Sequence, residues 1–177
     1  MLRVPVITSV FGNQGFKMRA IYPGSFDPFT NGHLDIVDRA LKVVDQLTIA
    51  VLKNTSKKNL LDLEQRIELI QEVLKKYGDR IEVESFSGLL VDFCQSKKTN
   101  IVIRGLRAVS DFDYEHAIFL MNRKMYPDFE TLFFMSSSEN SFISSTIIKE
   151  VASLGGKVMD QVPEAIARKL REIYPGK

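Results

Sequence analysis

The sequence contains few of the residues that build metal sites and disulfides. Among 177 residues there is one cysteine, Cys94, and there are two histidines, His33 and His116. A single cysteine excludes an internal disulfide and a cysteine-rich zinc site, and two histidines do not make a histidine metal cluster. We therefore expect no dedicated metal site. Because low cysteine use fits a reducing compartment, we also expect a cytoplasmic location.

Long apolar runs and an excess of one charge are also missing. No run approaches the roughly 20 apolar residues that a membrane helix needs, so no membrane association is expected. The 24 basic and 22 acidic side chains leave a formal net charge of +2. This balance does not indicate nucleic-acid binding by bulk electrostatics. Any selectivity for anions must come from the local placement of cations.

The first 17 residues differ from the rest of the chain. They contain one short apolar run, residues 4–11, which Pro5 interrupts. A signal peptide needs a longer apolar core and a cleavage site of small residues. Met18 stands directly before the first convincing strand pattern. We therefore interpret residues 1–17 as a dispensable extension or tag, and residues 18–177 as a single domain.

Apolar patterns of strand and helix type alternate along the chain. Strands are predicted at residues 19–23, 46–52, 80–86, 100–106 and 130–136, and helices at residues 33–44, 63–78, 88–98, 111–126, 145–156 and 163–174. Strand patterns without polar alternation, such as residues 100–106, indicate burial on both faces, as in a parallel sheet. The order predicts a doubly wound, Rossmann-like α/β fold with five parallel strands. In such sheets, ligands bind beyond the carboxyl ends of the strands.

The turn between the first strand and the first helix reads "YPGSFDPFTNGH" over residues 22–33. Gly24 and Gly32 allow close approach of the backbone to a ligand, and Ser25 offers a hydroxyl. His33 falls in the first helical turn, where a helix attracts phosphate. Taken alone, the stretch also fits ordinary turn signals followed by a solvated histidine.

The segment "GSFDPFTNGH" resembles the first motif of the nucleotidyltransferase superfamily with a T/HxGH element, in which the Gly-His pair contacts a nucleoside triphosphate. Cytidylyltransferases usually carry another histidine where Thr30 stands. A motif with threonine at this position resembles that of the phosphopantetheine adenylyltransferase family. Three further stretches resemble that family in order: residues 56–58, 104–115 and 141–150. The resemblance covers the chain from Met18 onward.

The resemblance implies reversible adenylyl transfer from ATP to 4′-phosphopantetheine, giving dephospho-coenzyme A and pyrophosphate in coenzyme A biosynthesis. It also implies Mg²⁺ that enters with ATP, a homohexamer, and coenzyme A as a candidate inhibitor. The attacking acceptor phosphate is already anionic, so the reaction needs no protein base. Catalysis then reduces to positioning and charge stabilisation. This agrees with a sequence that shows no nucleophile–base triad.

The resemblance also suggests roles for individual residues. The catalytic group is His33, Lys57 and Arg104, with Lys57 and Arg104 on the phosphate of phosphopantetheine, and Ser25 and Leu90 complete the acceptor site. Arg107 is expected on the β- and γ-phosphates of ATP, and Glu115 on its ribose. The full ATP-binding set is Ser25, Phe26, His33, Gly105, Leu106, Arg107, Glu115, Asn140, Ser141, Phe142, Ile143, Ser144, Ser145 and Thr146.

Three positions depart from the family, and two other functions stay open. Thr55 and Asn59 stand where prolines are usual, and Asn140 replaces an often aromatic residue. One alternative is a cytidylyltransferase-like enzyme with another acceptor, which usually has histidine at Thr30. The other is a non-catalytic nucleotide-binding module, which would tolerate loss of His33. An NAD-dependent dehydrogenase is disfavoured because no G-x-G-x-x-G follows the first strand.

Overall fold

In the computed structural model, which describes residues 17–53 and 59–175, the predicted sheet is present. The strands are β1 (Arg19–Gly24), β2 (Gln46–Leu52), β3 (Ile81–Phe86), β4 (Ile101–Leu106) and β5 (Glu130–Met135). They pair in parallel in the order β3-β2-β1-β4-β5. The prediction of a five-stranded parallel α/β fold is confirmed. The strand order reverses between β1 and β4, so a crevice is expected beyond their carboxyl ends.

The helices are α1 (Asn31–Ala40), α2 (Leu63–Leu74), α3 (Leu90–Ser96), α4 (Val109–Met125), α5 (Ser145–Ser153) and α6 (Glu164–Ile173). All six lie within four residues of their predicted bounds, and α1 and α2 each end four residues before the predicted end. α1 ends at Ala40, after which the amides of Lys42 and Val43 bond carbonyls three residues back and tighten the chain into turns. α2 passes into a 3₁₀ turn, Lys75–Arg80, where Gly78 takes a φ of 55°.

Helices cover both faces of the sheet; the central strands are well buried, whereas the edge strands β3 and β5 are mostly half-buried. On one face α1, α2, α5 and α6 pack over the larger part of the core, which includes Tyr22 of β1 and Ile36 of α1. On the other face α3 packs over Ile21 of β1, together with Phe119 of α4. This packing fixes the carboxyl ends of β1 and β4 at the mouth of the crevice.

Candidate active site

Two hollows lie side by side at the carboxyl ends of β1 and β4. The polar cleft, of about 490 Å³, includes His33, Arg107 and Thr146 in its lining. The apolar cavity, of about 240 Å³, includes Leu90 and Phe119. Four residues line both hollows: Pro23, Gly24, Arg104 and Glu115. The site therefore has two compartments that meet at one arginine and one carboxylate.

His33 is fixed by a reciprocal cap at the start of α1. The Thr30 hydroxyl accepts from the His33 backbone N–H, and the Thr30 backbone N–H donates to His33 Nδ1 at 3.0 Å. A backbone N–H can only donate, so Nδ1 of the neutral ring carries no proton. The ring proton is then on Nε2, which makes Nε2–H the donor that His33 can offer to a ligand.

The surroundings of His33 keep its ring neutral. Its ring centroid lies 5.1 Å from that of Phe26 and 5.3 Å from that of Phe29. Burial, together with the smaller effect of the positive charge of Arg107, lowers the pKa of His33 to about 4. The ring is half-buried and packs against aromatic side chains, so its surroundings are more apolar than those of a freely solvated first-turn histidine. At neutral pH His33 is a hydrogen-bond donor without a positive charge.

Gly24 leaves room for an aromatic ring. A Cβ at Gly24 would lie 2.8 Å from the Phe26 ring, closer than side chains pack. Phe26 itself has a φ of 48° and is buried. The sequence predicts a close approach to the Gly24 backbone, and within the protein the ring of Phe26 makes such an approach. Ser25, which lies between these two residues, lines the polar cleft.

Arg104, at the end of β4, is paired with Glu115 of α4. Arg104 Nε donates to Glu115 Oε2 at 2.7 Å, and Nη2 donates to Oε1 at 2.5 Å. Nη1 donates to the Pro23 carbonyl at 3.2 Å. The sequence assigned these two side chains to different substrates and gave no sign of their contact. Their pairing depends on how α4 packs back over β4.

A second arginine–carboxylate pair lies at the rim of the polar cleft. The backbone N–H and Nε of Arg107 donate to Asp111 Oδ2 at 3.0 Å and 3.1 Å. The Arg107 side chain is 45% exposed and lines only the polar cleft of the two hollows. Gly105, between the two arginines, lines the same cleft, and a Cβ there would lie 3.4 Å from Ile36.

Five residues of the predicted segment 140–146 line the polar cleft: Asn140, Ile143, Ser144, Ser145 and Thr146. Ser144 caps α5 by accepting from the Ile147 backbone N–H at 3.1 Å. The Ser145 hydroxyl donates to the Pro28 carbonyl at 2.8 Å, which ties α5 to the first turn. Asn140 donates to the Ser137 hydroxyl at 2.8 Å.

Some predicted site residues are not in this lining. Leu106 points its side chain into the core, while its carbonyl accepts from Ser136 at 2.7 Å. Phe142 is exposed, and the Ser141 hydroxyl donates to the Ser138 carbonyl. Lys57 lies outside the described residues, so its predicted role stays a prediction.

A buried carboxylate, Asp27, was missed by the sequence analysis. It accepts from the backbone N–H groups of Leu60 and Leu61 at 3.0 Å and 2.9 Å, and from Lys149 Nζ at 2.7 Å. Arg66, also buried, donates to the carbonyls of Ser25 and Leu52. An acidic residue in the apolar turn "FDPF" was a usable signal. Its partners were not predictable, because Lys149 is 122 residues away.

Among the residues that the structure describes, no group of three or more His, Cys, Asp or Glu side chains is arranged to hold a metal ion. Within the same stretches, no helix has the length and apolar character needed to cross a membrane.

Comparison with known proteins places this site in a family. Residues 21–151 match the family model described as cytidylyltransferase-like. The phosphopantetheine adenylyltransferase of Clostridium kluyveri is 54% identical over 148 residues, which cover 84% of this chain and 90% of the relative. The enzymes of that name from Leptospira biflexa and Carboxydothermus hydrogenoformans are 51% and 50% identical. They cover 87% and 88% of this chain, and 96% and 95% of the relatives.

Solved structures support the fold. A putative nicotinate-nucleotide adenylyltransferase from Vibrio parahaemolyticus matches with a TM-score of 0.64 at 17% identity, over 91% of this chain and 97% of that one. A bifunctional NMN adenylyltransferase/ADP ribose pyrophosphatase from Francisella tularensis matches with a TM-score of 0.68 at 15% identity, over 88% of this chain and 50% of that one. The curated relatives and the family model together show that the chain belongs to the phosphopantetheine adenylyltransferase family, within the cytidylyltransferase-like group.

Proposed function

We propose that this protein reversibly transfers the adenylyl group of ATP to 4′-phosphopantetheine, giving dephospho-coenzyme A and pyrophosphate, in coenzyme A biosynthesis. The observation that carries the proposal is the meeting of a polar cleft and an apolar cavity at Arg104. Of the two proposed substrates, ATP is a polar nucleoside triphosphate, and 4′-phosphopantetheine is a long arm that ends in a phosphate. The identity of 50–54% with enzymes of this name supports the assignment.

The polar cleft suits the triphosphate of ATP. The first turns of α1 and α5 both line it, and helix N-termini favour phosphate because their first backbone N–H groups have no partner within the helix. The caps use only the N–H groups of His33 and Ile147 among these. His33 adds a neutral donor, and Arg107 adds a positive charge at the rim. Arg107 can contact the β- and γ-phosphates while its pairing with Asp111 fixes its position.

The apolar cavity suits the pantetheine arm. Leu52, Leu90 and Phe119 give it apolar walls, and Asn122 and Thr131 add polar groups that can bond to amides. Arg104 at the junction can bind the terminal phosphate of the arm through two oxygens. This arrangement would bring the acceptor phosphate to the polar cleft, where the α-phosphate of ATP is expected.

The proposed reaction is an in-line displacement at the α-phosphorus. An oxygen of the acceptor phosphate forms a bond to phosphorus, and the bond to the pyrophosphate oxygen breaks. The acceptor is ionised at neutral pH, so His33 is not needed as a base. Its Nε2–H can instead donate to the α-phosphate oxygens as charge develops on them. Arg104, with Lys57, would offset the repulsion between the two anions.

Mg²⁺ is proposed to enter as the ATP complex, since hard cations of this size are often held by substrate phosphates and water. We also propose a cytoplasmic location, no nucleic-acid or membrane partner, and inhibition by coenzyme A. Coenzyme A contains both a pantetheine arm and an adenosine group, so it could occupy the two compartments. The homohexamer is proposed from the family resemblance, and large apolar side chains exposed on α4 would suit an interface between copies: Val109, Phe112, Tyr114, Leu120, Met121 and Met125.

Pyrophosphate release tests the proposed function. The protein is incubated with ATP and Mg²⁺, with and without 4′-phosphopantetheine, and the nucleotide product is identified by mass. We expect release only when both substrates and Mg²⁺ are present. Replacing ATP by CTP should abolish it, and chelation of Mg²⁺ should do the same. Release with CTP and another acceptor would favour the cytidylyltransferase-like alternative, and binding without turnover would favour a regulatory module.

A further inference from the structure

We propose that Glu115 is a positioning residue for Arg104, so that this carboxylate sets the affinity for the phosphate of 4′-phosphopantetheine. The inference rests on the proposed function and deepens it. It differs from the role that the family resemblance suggests, in which Glu115 contacts the ribose of ATP. The two roles change the affinities of different substrates and can therefore be separated.

The contact geometry shows how Glu115 holds the arginine. Nε and Nη2 of Arg104 donate side by side to the two oxygens of Glu115, and Nη1 donates to the Pro23 carbonyl. A guanidinium has five N–H donors in a fixed plane, so three are used and two remain for a ligand. Two donors are enough to bind two oxygens of a phosphate. Glu115 and Pro23 together fix the plane in which those donors lie.

Burial makes the pair an effective clamp. The Glu115 side chain is 13% exposed and the Arg104 side chain is 25% exposed, so water screens the pair poorly. An unpaired arginine must lose rotamer freedom when it binds a phosphate, which lowers affinity. Arg104 has already lost that freedom in the ligand-free protein. Removal of Glu115 would restore this freedom and weaken phosphate binding.

Helix α4 carries two carboxylates, Asp111 and Glu115, whose roles can be compared. Asp111 and Glu115 lie four residues apart, on the same face of the helix, and each pairs with an arginine at the end of β4. Arg107, paired with Asp111, lines the polar cleft, whereas Arg104 lines both hollows. The two carboxylates therefore hold arginines that face different compartments. The Asp111 pair should therefore affect the affinity for ATP, and the Glu115 pair should affect the affinity for 4′-phosphopantetheine.

The test measures the two affinities separately. Calorimetry with 4′-phosphopantetheine alone, and with a non-hydrolysable ATP analogue alone, is run on the wild type and on Glu115→Gln, Asp111→Asn and Asp113→Asn. Glu115→Gln should weaken 4′-phosphopantetheine binding roughly tenfold and change analogue binding less than about twofold, by analogy with loss of a charged hydrogen bond. Asp111→Asn should show the opposite preference. Asp113→Asn makes the same charge change at an exposed position on α4 and should alter neither affinity.

Steady-state kinetics and a conservative variant complete the test. Glu115→Gln should raise the KM for 4′-phosphopantetheine with little change in kcat, and Glu115→Asp, which keeps the charge, should recover part of the loss. A melting curve checks that each variant folds. Weaker analogue binding without weaker acceptor binding would overturn the inference in favour of the ribose contact. Unchanged or tighter acceptor binding would also overturn it. Failure of wild-type turnover, in contrast, would overturn the proposed function itself.

Discussion

The Nδ1 atom of His33 accepts a hydrogen bond from the backbone N–H of Thr30 at 3.0 Å, so the cap of α1 also sets the tautomer of the histidine. A local rule of helix termination thereby decides which nitrogen can donate to a substrate. The motif spacing between Thr30 and His33 serves helix capping and the proposed chemistry together.

His33→Ala should lower turnover about 10²–10³-fold, the range for loss of one preorganised donor in a transition state. ATP affinity should fall much less, because the charge that His33 meets develops only during the reaction. Turnover and calorimetric ATP binding are measured on the same preparation. His116→Ala, at the exposed second histidine, is the matched control and should keep normal turnover. Near-normal turnover of His33→Ala would contradict the assignment.

The pH dependence of stability should report the low pKa of His33. The folded-state pKa is about 4, whereas a free histidine titrates near 6.5. Below pH 6.5 the unfolded chain takes up a proton that the folded chain does not, so folding is progressively disfavoured down to pH 4. We expect the free energy of unfolding of the wild type minus that of His33→Ala to be constant above about pH 7 and to decrease, through zero if it is small, toward pH 4. Urea titrations at several pH values measure it, and a signed difference that rises in acid would contradict the neutral ring.

Arg104→Ala and Lys57→Ala should mainly weaken 4′-phosphopantetheine binding, each by about 1.5–3 kcal/mol, the range for a hydrogen bond to a charged group. For Arg104 the reason is its place at the junction of the two hollows. For Lys57 it remains the family resemblance. Calorimetry with each substrate separately gives the comparison, and Lys58→Ala is a neighbouring control for Lys57. Equal losses of binding free energy for ATP and for 4′-phosphopantetheine would contradict the assignment of these two residues to the acceptor.

Asp27→Ala should lower the free energy of unfolding by about 3 kcal/mol, at the low end of the range for breaking a buried pair because Lys149 is 30% exposed. Its carboxylate accepts from two backbone N–H groups as well as from Lys149. Glu72→Ala, which breaks the exposed pair with Arg168, should cost less than about 1 kcal/mol. Urea unfolding of both variants measures these two losses of stability. Similar losses for Asp27→Ala and Glu72→Ala would contradict the prediction.

Deletion of residues 1–17 should leave activity and the melting temperature nearly unchanged. The Met18 backbone N–H donates to Asp45 Oδ2 at 2.8 Å, and the Met18 carbonyl accepts from Asp45 and Gln46. In the truncated chain an α-ammonium at Met18 could keep that contact as a charge-assisted bond. Differential scanning calorimetry and pyrophosphate release on both chains provide the comparison. A large drop in melting temperature would show that the extension contributes to folding.

The sequence by itself determined the strands, the helices and the position of His33. Unbroken apolar runs identify strands such as β4, because a parallel strand is covered on both faces. The turn signals before His33 locate the start of α1 to within two residues, since the prediction begins at His33 and the helix at Asn31. Helix bounds were less exact: the apolar spacing that continues to Val44 does not show where α1 tightens into turns after Ala40.

The tertiary structure alone decided which charged groups meet. Arg104 contacts Glu115 because α4 packs against β4, and Asp27 contacts Lys149 because α5 closes over the first turn. The ring of Phe26 occupies the space beside Gly24. Periodicity and turn signals arise from neighbours along the chain, so they predict elements. The pairing of side chains depends on distance in space between residues far apart in the chain, and only the packed fold sets that distance.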